Sequence, residues 1–379
     1  MIRILHVIGS MGSGGAEAII MNIYRKIDRS KIQFDFVVHT KKKAFYDDEI
    51  RALGGKIYTA ERYNVVNCFS YKRYWDDFFT KHPEYQIIHG HINSSAAIYL
   101  SSAKKHGRVA VAHSHATKNT EKSLKAWVFL LSTYPIRYIA DYFWGCSRQA
   151  GIDRYGIKVV ESERFHVLKN GIAAEKYIYN AETRAKIRKE YNISDSTYVI
   201  GHVGRFTFAK NHTFLLDVFM KIHQIEPDSK LVLIGKGELE DDVRKKVHDL
   251  QLESSVVFVG QVKNVFDYLQ AMDTFIFPSV FEGLGISLVE AQAAGLPCIV
   301  SENIQKEAKL PCGLVHTLNV HDGADVWAKM AMKLRGTERK NTFLAVKDAG
   351  FNIQESAQML VKFYEDILQN KIDSMVEIK

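Results

Sequence analysis

The sequence predicts an α/β protein of two successive units, each a parallel sheet covered by helices. Three observations carry this reading. The chain has 379 residues, 46% hydrophobic and 25% charged, with 24 Gly and only 6 Pro. That is a globular composition, and domains of roughly 100–200 residues make two the natural number. Short apolar runs alternate with segments of helical period, the pattern of a parallel sheet buried on both faces. The alternation then restarts after Asn170-Gly171, a turn signal.

Taken in order, Ile2–Ile8 is an apolar run ending at Gly9, and Ile19, Ile20, Ile23 and Ile27 then recur at helical spacing. The chain therefore opens as strand, glycine loop, helix. Residues 34–38 read as a second strand, 47–53 as a helix, and 56–58, 87–89 and 109–112 as strands, with a helix over 95–105. After the restart, strands are expected at 198–203, 230–234, 256–259, 274–277 and 298–300, and helices at 212–225, 239–250, 266–271 and 288–294. The expected division is 1–172 and 173–352. A last helical stretch from Ile353 has the length to pack on either unit, and the segment 353–379 is a candidate to complete the first.

No apolar run approaches the roughly 18–20 residues of a membrane-spanning helix. The apolar stretch after Arg3 is shorter than the roughly 7–15 residues of a secretion signal. Cys68, Cys146, Cys298 and Cys312 form no C-x-x-C pair and read as reduced thiols. A cytoplasmic protein is the expectation. The net charge of +8 is unevenly placed: residues 1–170 hold 26 Lys+Arg against 15 Asp+Glu, whereas 171–379 hold 25 against 28. The first half is thus suited to an anionic partner, and a membrane surface fits better than nucleic acid because no zinc, RNP-like or helix-turn-helix signal accompanies the charge.

Several short patterns point to phosphate and sugar chemistry. Loop 9–15, with Gly9, Gly12, Gly14 and Gly15, lies between the first strand and helix, where backbone N–H groups and the helix N-terminus can meet an anion. A dinucleotide fingerprint counted from Gly12 needs Gly at position 17, where Glu17 stands, although Asp35 sits near the ribose-binding distance. In the second half, Gly204-Arg205 directly follows a strand and Lys210 precedes a helix, two cations suited to a diphosphate. Downstream, Glu282, Gly283, Leu284 and Gly285 lead into a helix carrying Glu290. On one helix the two glutamates would stand about 12 Å apart at 1.5 Å per residue. That exceeds both carboxylate spacings used by glycosidases, so they read as anchors for different parts of one long ligand.

This combination, E-x7-E with Gly204-Arg205 and Lys210 upstream and Gly14-Gly15-Ala16-Glu17 near the start, resembles the retaining nucleotide-sugar glycosyltransferases of family 4, which have the GT-B fold. The similarity extends over essentially the whole chain, toward the bacterial exopolysaccharide and capsule type. It implies two facing Rossmann-like domains with a cleft between them, the first binding acceptor and the second the donor. By that resemblance Glu290 would hold the ribose hydroxyls, Arg205 and Lys210 the donor diphosphate, and Glu282 with the backbone of Gly283, Leu284 and Gly285 the transferred sugar. Gly14 and Gly15 would face the donor phosphate. The family commonly has a His at a strand end near the sugar, and His113 or His115 matches, His113 slightly better. Ala173 stands where an Asp is common, a departure from the pattern.

The resemblance implies a hexosyl- or N-acetylhexosaminyltransferase, with a UDP-sugar as the favoured donor. No Asp-x-Asp triplet occurs, and neither a metal nor a cofactor is expected, fixed cations taking the metal's place. Lys118, Lys122 and Lys125 share helical spacing ahead of Trp127, and Lys41-Lys42-Lys43 precede Phe45-Tyr46. Both suit peripheral docking on an anionic leaflet carrying a lipid-linked acceptor. Two other functions fit the same motifs: a nucleotide-sugar epimerase of the same fold, and a non-catalytic sugar-nucleotide-binding assembly subunit.

Overall fold

The computed structural model describes residues 1–12, 14–64, 66–115, 132–282 and 284–377, with side chains of the last helix described as far as Gln369. The chain divides into two units, one formed by Met1–Ile172 with Asn352–Lys379 and the other by Ala173–Phe351.

The first unit is a seven-stranded sheet in the order β3-β2-β1-β4-β5-β6-β7, parallel throughout. Its strands are β1 (Ile2–Ile8), β2 (Ile32–Val38), β3 (Ile57–Thr59), β4 (Tyr85–Gly90), β5 (Val109–Ser114), β6 (Tyr142–Gly145) and β7 (Phe165–Val167). All seven residues of β2 are buried, so its apolar side chains line both faces and its polar ones need partners. Asp35 meets that need by accepting from Arg3 Nε and Nη2 at 2.6 Å each, Tyr85 Oη at 2.8 Å and the Lys56 N–H at 2.7 Å. On one face the helix Cys68–Lys81 buries Tyr71, Trp75, Phe78 and Phe79, a stripe at helical spacing packed with Tyr85, Tyr99 and Leu100.

The helix Ile353–Glu377 belongs to this unit. The Ile353 N–H donates to the Ile172 carbonyl at 3.0 Å, and Leu360, Tyr364 and Ile367 are buried. Tyr364 meets Phe34 edge-on at 6.2 Å, and Phe363 meets Trp144 at 4.8 Å.

The second unit is a six-stranded parallel sheet in the order β10-β9-β8-β11-β12-β13. Its strands are β8 (Tyr198–Val203), β9 (Ser229–Ile234), β10 (Val256–Gly260), β11 (Thr274–Phe277), β12 (Cys298–Ser301) and β13 (Val315–Leu318). The helix Ala181–Glu190 is clamped to the start of β11. Arg184 and Arg188, one turn apart, hold the two Asp273 carboxylate oxygens at 2.7 and 2.8 Å. The buried Arg188 guanidinium also donates to the carbonyls of Ala271, Ser194 and Thr197.

Both sheets therefore share one doubly wound order, and in each the winding reverses beside the first strand: between β1 and β4, and between β8 and β11. Strand β7 is the strand-like stretch that precedes the Asn170-Gly171 turn, whereas β6 and β13 lie beyond those the periodicity predicts. These two have four residues each, too few for a repeating pattern.

Candidate functional site

Where an open α/β sheet reverses its strand order, the loops at the carboxyl ends part and leave a crevice for ligands. In the second unit those loops follow β8 and β11. After Val203 the backbone of Gly204, Arg205 and Phe206 crosses the loop that leaves β9, with the Gly204 N–H donating to Ile234 at 2.9 Å and the Phe206 N–H to Lys236 at 3.2 Å. The crossing is close enough to require glycine. A Cβ on Gly235, whose φ is +140°, would strike the Gly204 carbonyl, and one on Gly237 would strike the backbone of Phe206.

Next comes the single 3₁₀ turn Phe208–Lys210, and Asn211, in the left-handed region at φ 55°, turns the chain into the helix His212–Ile225. This turn is tied to the loop after β11. The Val280 N–H donates to the Ala209 carbonyl at 2.8 Å, and Asn211 Nδ2 donates to Pro278 at 3.3 Å.

The tie brings Lys210 and Glu282 together as an ion pair, both side chains mostly buried at 17% and 11% exposed. Ser279 Oγ donates to the same carboxylate at 3.0 Å, and the Lys210 ammonium lies 4.6 Å from the centroid of Phe277. Withdrawing two charges from water is costly, and the pair persists because its partners and Ser279 satisfy it in place of water.

Beyond Glu282 the chain reaches buried Leu284 and then Gly285, which at φ 82° takes the left-handed conformation that opens the helix Ile286–Ala293. Gly285 has no side chain to cap this end, so among the described residues the helix's first N–H groups and positive dipole end face outward toward any anion. On the same helix Glu290 accepts from Tyr177 Oη at 2.6 Å. Burial pushes its carboxyl up to about 7, against the opposing pull of Tyr177 and Lys210. Arg205 stands apart from this cluster: its side chain is 73% exposed and reaches Glu238 at 3.3 Å. Gly283 lies outside the described residues.

In the first unit, Gly14 and Gly15 are exposed at the start of the helix Gly15–Lys26, the Glu17 carboxylate folding back over Gly14. Asp35 cannot serve a ribose, since Arg3, Tyr85 and Lys56 already occupy it; the dinucleotide alternative loses its acidic residue. His113 lies inside β5 and is buried, and His115 follows it.

These two belong to a larger group that the sequence does not announce. His6 on β1 pairs in register with His89 on β4, and His91 follows β4. His6 Nδ1 is 2.9 Å from His91 Nε2, His91 Nδ1 is 2.7 Å from His115 Nε2, and His89 Nε2 is 3.1 Å from His113 Nδ1. Burial lowers the pKa of all five, His6 to about 3 and His115 to about 4, so the imidazoles are neutral at pH 7. Lys118, Lys122 and Lys125 lie outside the described residues, as does Trp127. Lys41, Lys42 and Lys43 are exposed, and Lys43 pairs with Asp48 at 2.7 Å.

Residues 183–309, which include Arg205, Lys210, Glu282 and Glu290, match the family model described as glycosyl transferases group 1. The putative glycosyltransferase EpsF of Bacillus subtilis is 32% identical over 370 residues, 96% of each chain. The chain belongs to this glycosyltransferase family. A second relative of the group 1 glycosyltransferase is the capsular polysaccharide biosynthesis glycosyltransferase CapH of Staphylococcus aureus, 26% identical over 82% of this chain and 84% of its own. Among solved structures, Anabaena HepE in complex with UDP superposes with a TM-score of 0.78 at 18% identity, over 97% of this chain and 100% of that one. This group 1 glycosyltransferase thus has the GT-B fold, two α/β units each with a parallel sheet.

Proposed function

We propose that this glycosyltransferase moves a hexosyl or N-acetylhexosaminyl residue from a nucleotide-diphosphate sugar, with UDP favoured as the nucleotide, to a hydroxyl of a bacterial polysaccharide precursor. The observation that carries this reading is the buried Lys210–Glu282 pair beside the open N-terminus of the helix bearing Glu290. The group offers a cation and free N–H groups for a diphosphate, a carboxylate for sugar hydroxyls, and a second carboxylate for the ribose. Lys210 and the helix end meet the charge that grows on the diphosphate as the sugar–oxygen bond breaks, and Arg205, exposed and able to swing from Glu238, adds a second cation. Protein cations in this role leave no need for a metal at the diphosphate. The two glutamates divide the donor: Glu282 orients the sugar and Glu290 the ribose.

Glu282 and Glu290 both have binding roles, and Glu238, on the loop that leaves β9, is paired with Arg205 at the surface. Retention through attack by the acceptor hydroxyl on the same face, with the leaving phosphate oxygen taking its proton, is therefore the mechanism inferred. Support for a lipid-linked acceptor comes from a relative, 28% identical over 229 residues, named as an Escherichia coli galactosyltransferase acting from UDP-Gal on GlcNAc-diphosphoundecaprenol. The +11 balance of residues 1–170 and exposed Lys41, Lys42 and Lys43 suit a peripheral approach to such an acceptor at an anionic membrane surface. No helix among the described residues is long and apolar enough to cross a membrane.

The test is a thermal-shift screen of UDP-, GDP- and ADP-sugars, followed by transfer assays with the double variant Arg205→Ala, Lys210→Ala. A UDP-sugar should stabilise the protein most. The double variant should lose turnover far out of proportion to its stability; full activity would reject the phosphate-clamp role.

A further inference from the structure

We propose that His91, His113 and His115 form a three-imidazole site for a zinc-type transition-metal ion at the carboxyl ends of β4 and β5 in the first unit. One ring nitrogen from each of the three can be chosen so that all lie within 4.8 Å of one another. Ligands held about 2.0–2.1 Å from a tetrahedral zinc stand roughly 3.3 Å apart, so modest side-chain adjustment closes the site. Imidazole is a favoured ligand for such ions, and these rings are already neutral, the form that binds metal.

The hydrogen bonds around the three rings assign their lone pairs. His91 can donate from Nε2 to His6 Nδ1, which leaves its Nδ1 to accept from His115 Nε2, 2.7 Å away; a metal ion would take that lone pair in place of the hydrogen bond, with His115 then carrying its proton on Nδ1. His113 can donate from Nδ1 to His89 Nε2, and His89 in turn from Nδ1 to the Tyr364 hydroxyl oxygen. That chain leaves His113 Nε2 unprotonated, and this buried atom has no hydrogen-bond partner among the described residues. His6 and His89 thereby act as outer partners that fix ring orientation, as the second partner of a metal-bound histidine commonly does.

A second triad, His6, His89 and His91, is also compact. It is poorer in lone pairs, because both nitrogens of His89 and of His91 and one of His6 are engaged. Three neutral imidazoles leave the ion its full charge and one open position for an anionic oxygen. The proposal rests on these five side chains and not on the transferase reading, so its test reads metal rather than turnover.

The experiment uses the full chain without a polyhistidine tag, stripped with chelator and titrated with Zn²⁺ against a chromophoric competitor. One equivalent should bind with a Kd on the order of 1 μM or tighter. X-ray absorption of the zinc-loaded wild type should report three imidazole nitrogens at about 2.0–2.1 Å. Fewer than three, sulfur ligands, or binding below one equivalent would overturn the site, and this measurement decides even where variants fail to fold. In folded variants, His113→Gln and His115→Gln should weaken zinc by more than the roughly 10–100-fold expected for His6→Gln, an outer partner. Zinc binding abolished in His6→Gln yet unchanged in His113→Gln and His115→Gln would also overturn it.

Discussion

The two sheets have the same strand order, yet their switch points are furnished in opposite ways. In the second unit the loops after β8 and β11 carry full charges, Lys210 against Glu282, with Glu290 on the helix that follows and Arg205 at the surface. In the first unit the corresponding strands β1 and β4, together with neighbouring β5 and the residues that follow, carry five neutral imidazoles in hydrogen-bonded contact, and the charges sit elsewhere, with Asp35 and Arg3 locked together within the sheet. Topology fixes where a crevice lies but not what it binds. Charge held near neutrality by one partner invites an ionic ligand, whereas uncharged lone pairs invite a metal ion or a hydroxyl.

The largest expected effect separates structural charge from functional charge. Asp35→Asn strands the Arg3 guanidinium and should destabilise the first unit by about 3–5 kcal/mol. Thermal unfolding would register this, and donor affinity measured well below the transition should be unchanged. Loss of donor binding in the folded variant would break the division between the units.

Next, Glu282→Gln should lower turnover by about 100- to 1,000-fold, the usual cost of removing one preorganised transition-state contact. Affinity for the free nucleotide should stay within about threefold, because the proposed contact is to the sugar. Glu290→Ala should do the reverse, weakening nucleotide and nucleotide-sugar alike by roughly 10–100-fold through the loss of charge-assisted hydrogen bonds. Isothermal titration with both ligands distinguishes the two glutamates, and identical profiles would show that they do not divide the donor.

The smallest effect concerns pH. Burial raises the Glu290 carboxyl to about 7, so it is largely neutral below that pH while the unfolded chain would be ionised from about 4.5 upward. Its contribution to stability therefore falls as pH rises from about 4.5 to about 7 and is level above. Ribose hydroxyls donate best to the ionised carboxylate, so affinity for a nucleotide-sugar should rise about tenfold between roughly pH 6 and 8. Tyr177→Phe removes the hydrogen bond that favours ionisation and should move this rise to higher pH. A flat affinity profile in the wild type would sink the ribose role.

Much of the fold was legible because buried parallel strands write continuous apolar runs. Ile2–Ile8 and Tyr198–Val203 are such runs, and both occur at the predicted positions. The helix Cys68–Lys81 was not among the expected elements: Tyr71, Trp75, Phe78 and Phe79 lie at helical spacing, but Asn67 makes no side-chain cap to announce its start. Strand β13 is short and half-exposed, and nothing local distinguishes it from a loop.

In the candidate site, Lys210 and Glu282 are 72 residues apart and could be named separately, but their pairing depends on the Val280–Ala209 hydrogen bond. Tyr177 was not readable as a partner of Glu290, 113 positions away, because a lone tyrosine carries no motif. The histidines were the least visible group. His6 and His89 each look like one polar residue in an apolar strand and His91 like a loop residue, and only parallel register gathers them.

The first unit is closed by residues from the far end of the chain: Asn352 onward supplies the helix whose Leu360 and Tyr364 are buried in it. On a ribosome this inverts the customary order of maturation. Residues 173–351 form an uninterrupted stretch and can fold as soon as they emerge, whereas the earlier-born half must wait with Phe34 and its neighbours uncovered until synthesis reaches the last helix. A stalled or truncated nascent chain would thus present a finished second unit joined to an adhesive, unfinished first one, the form a chaperone would be expected to capture.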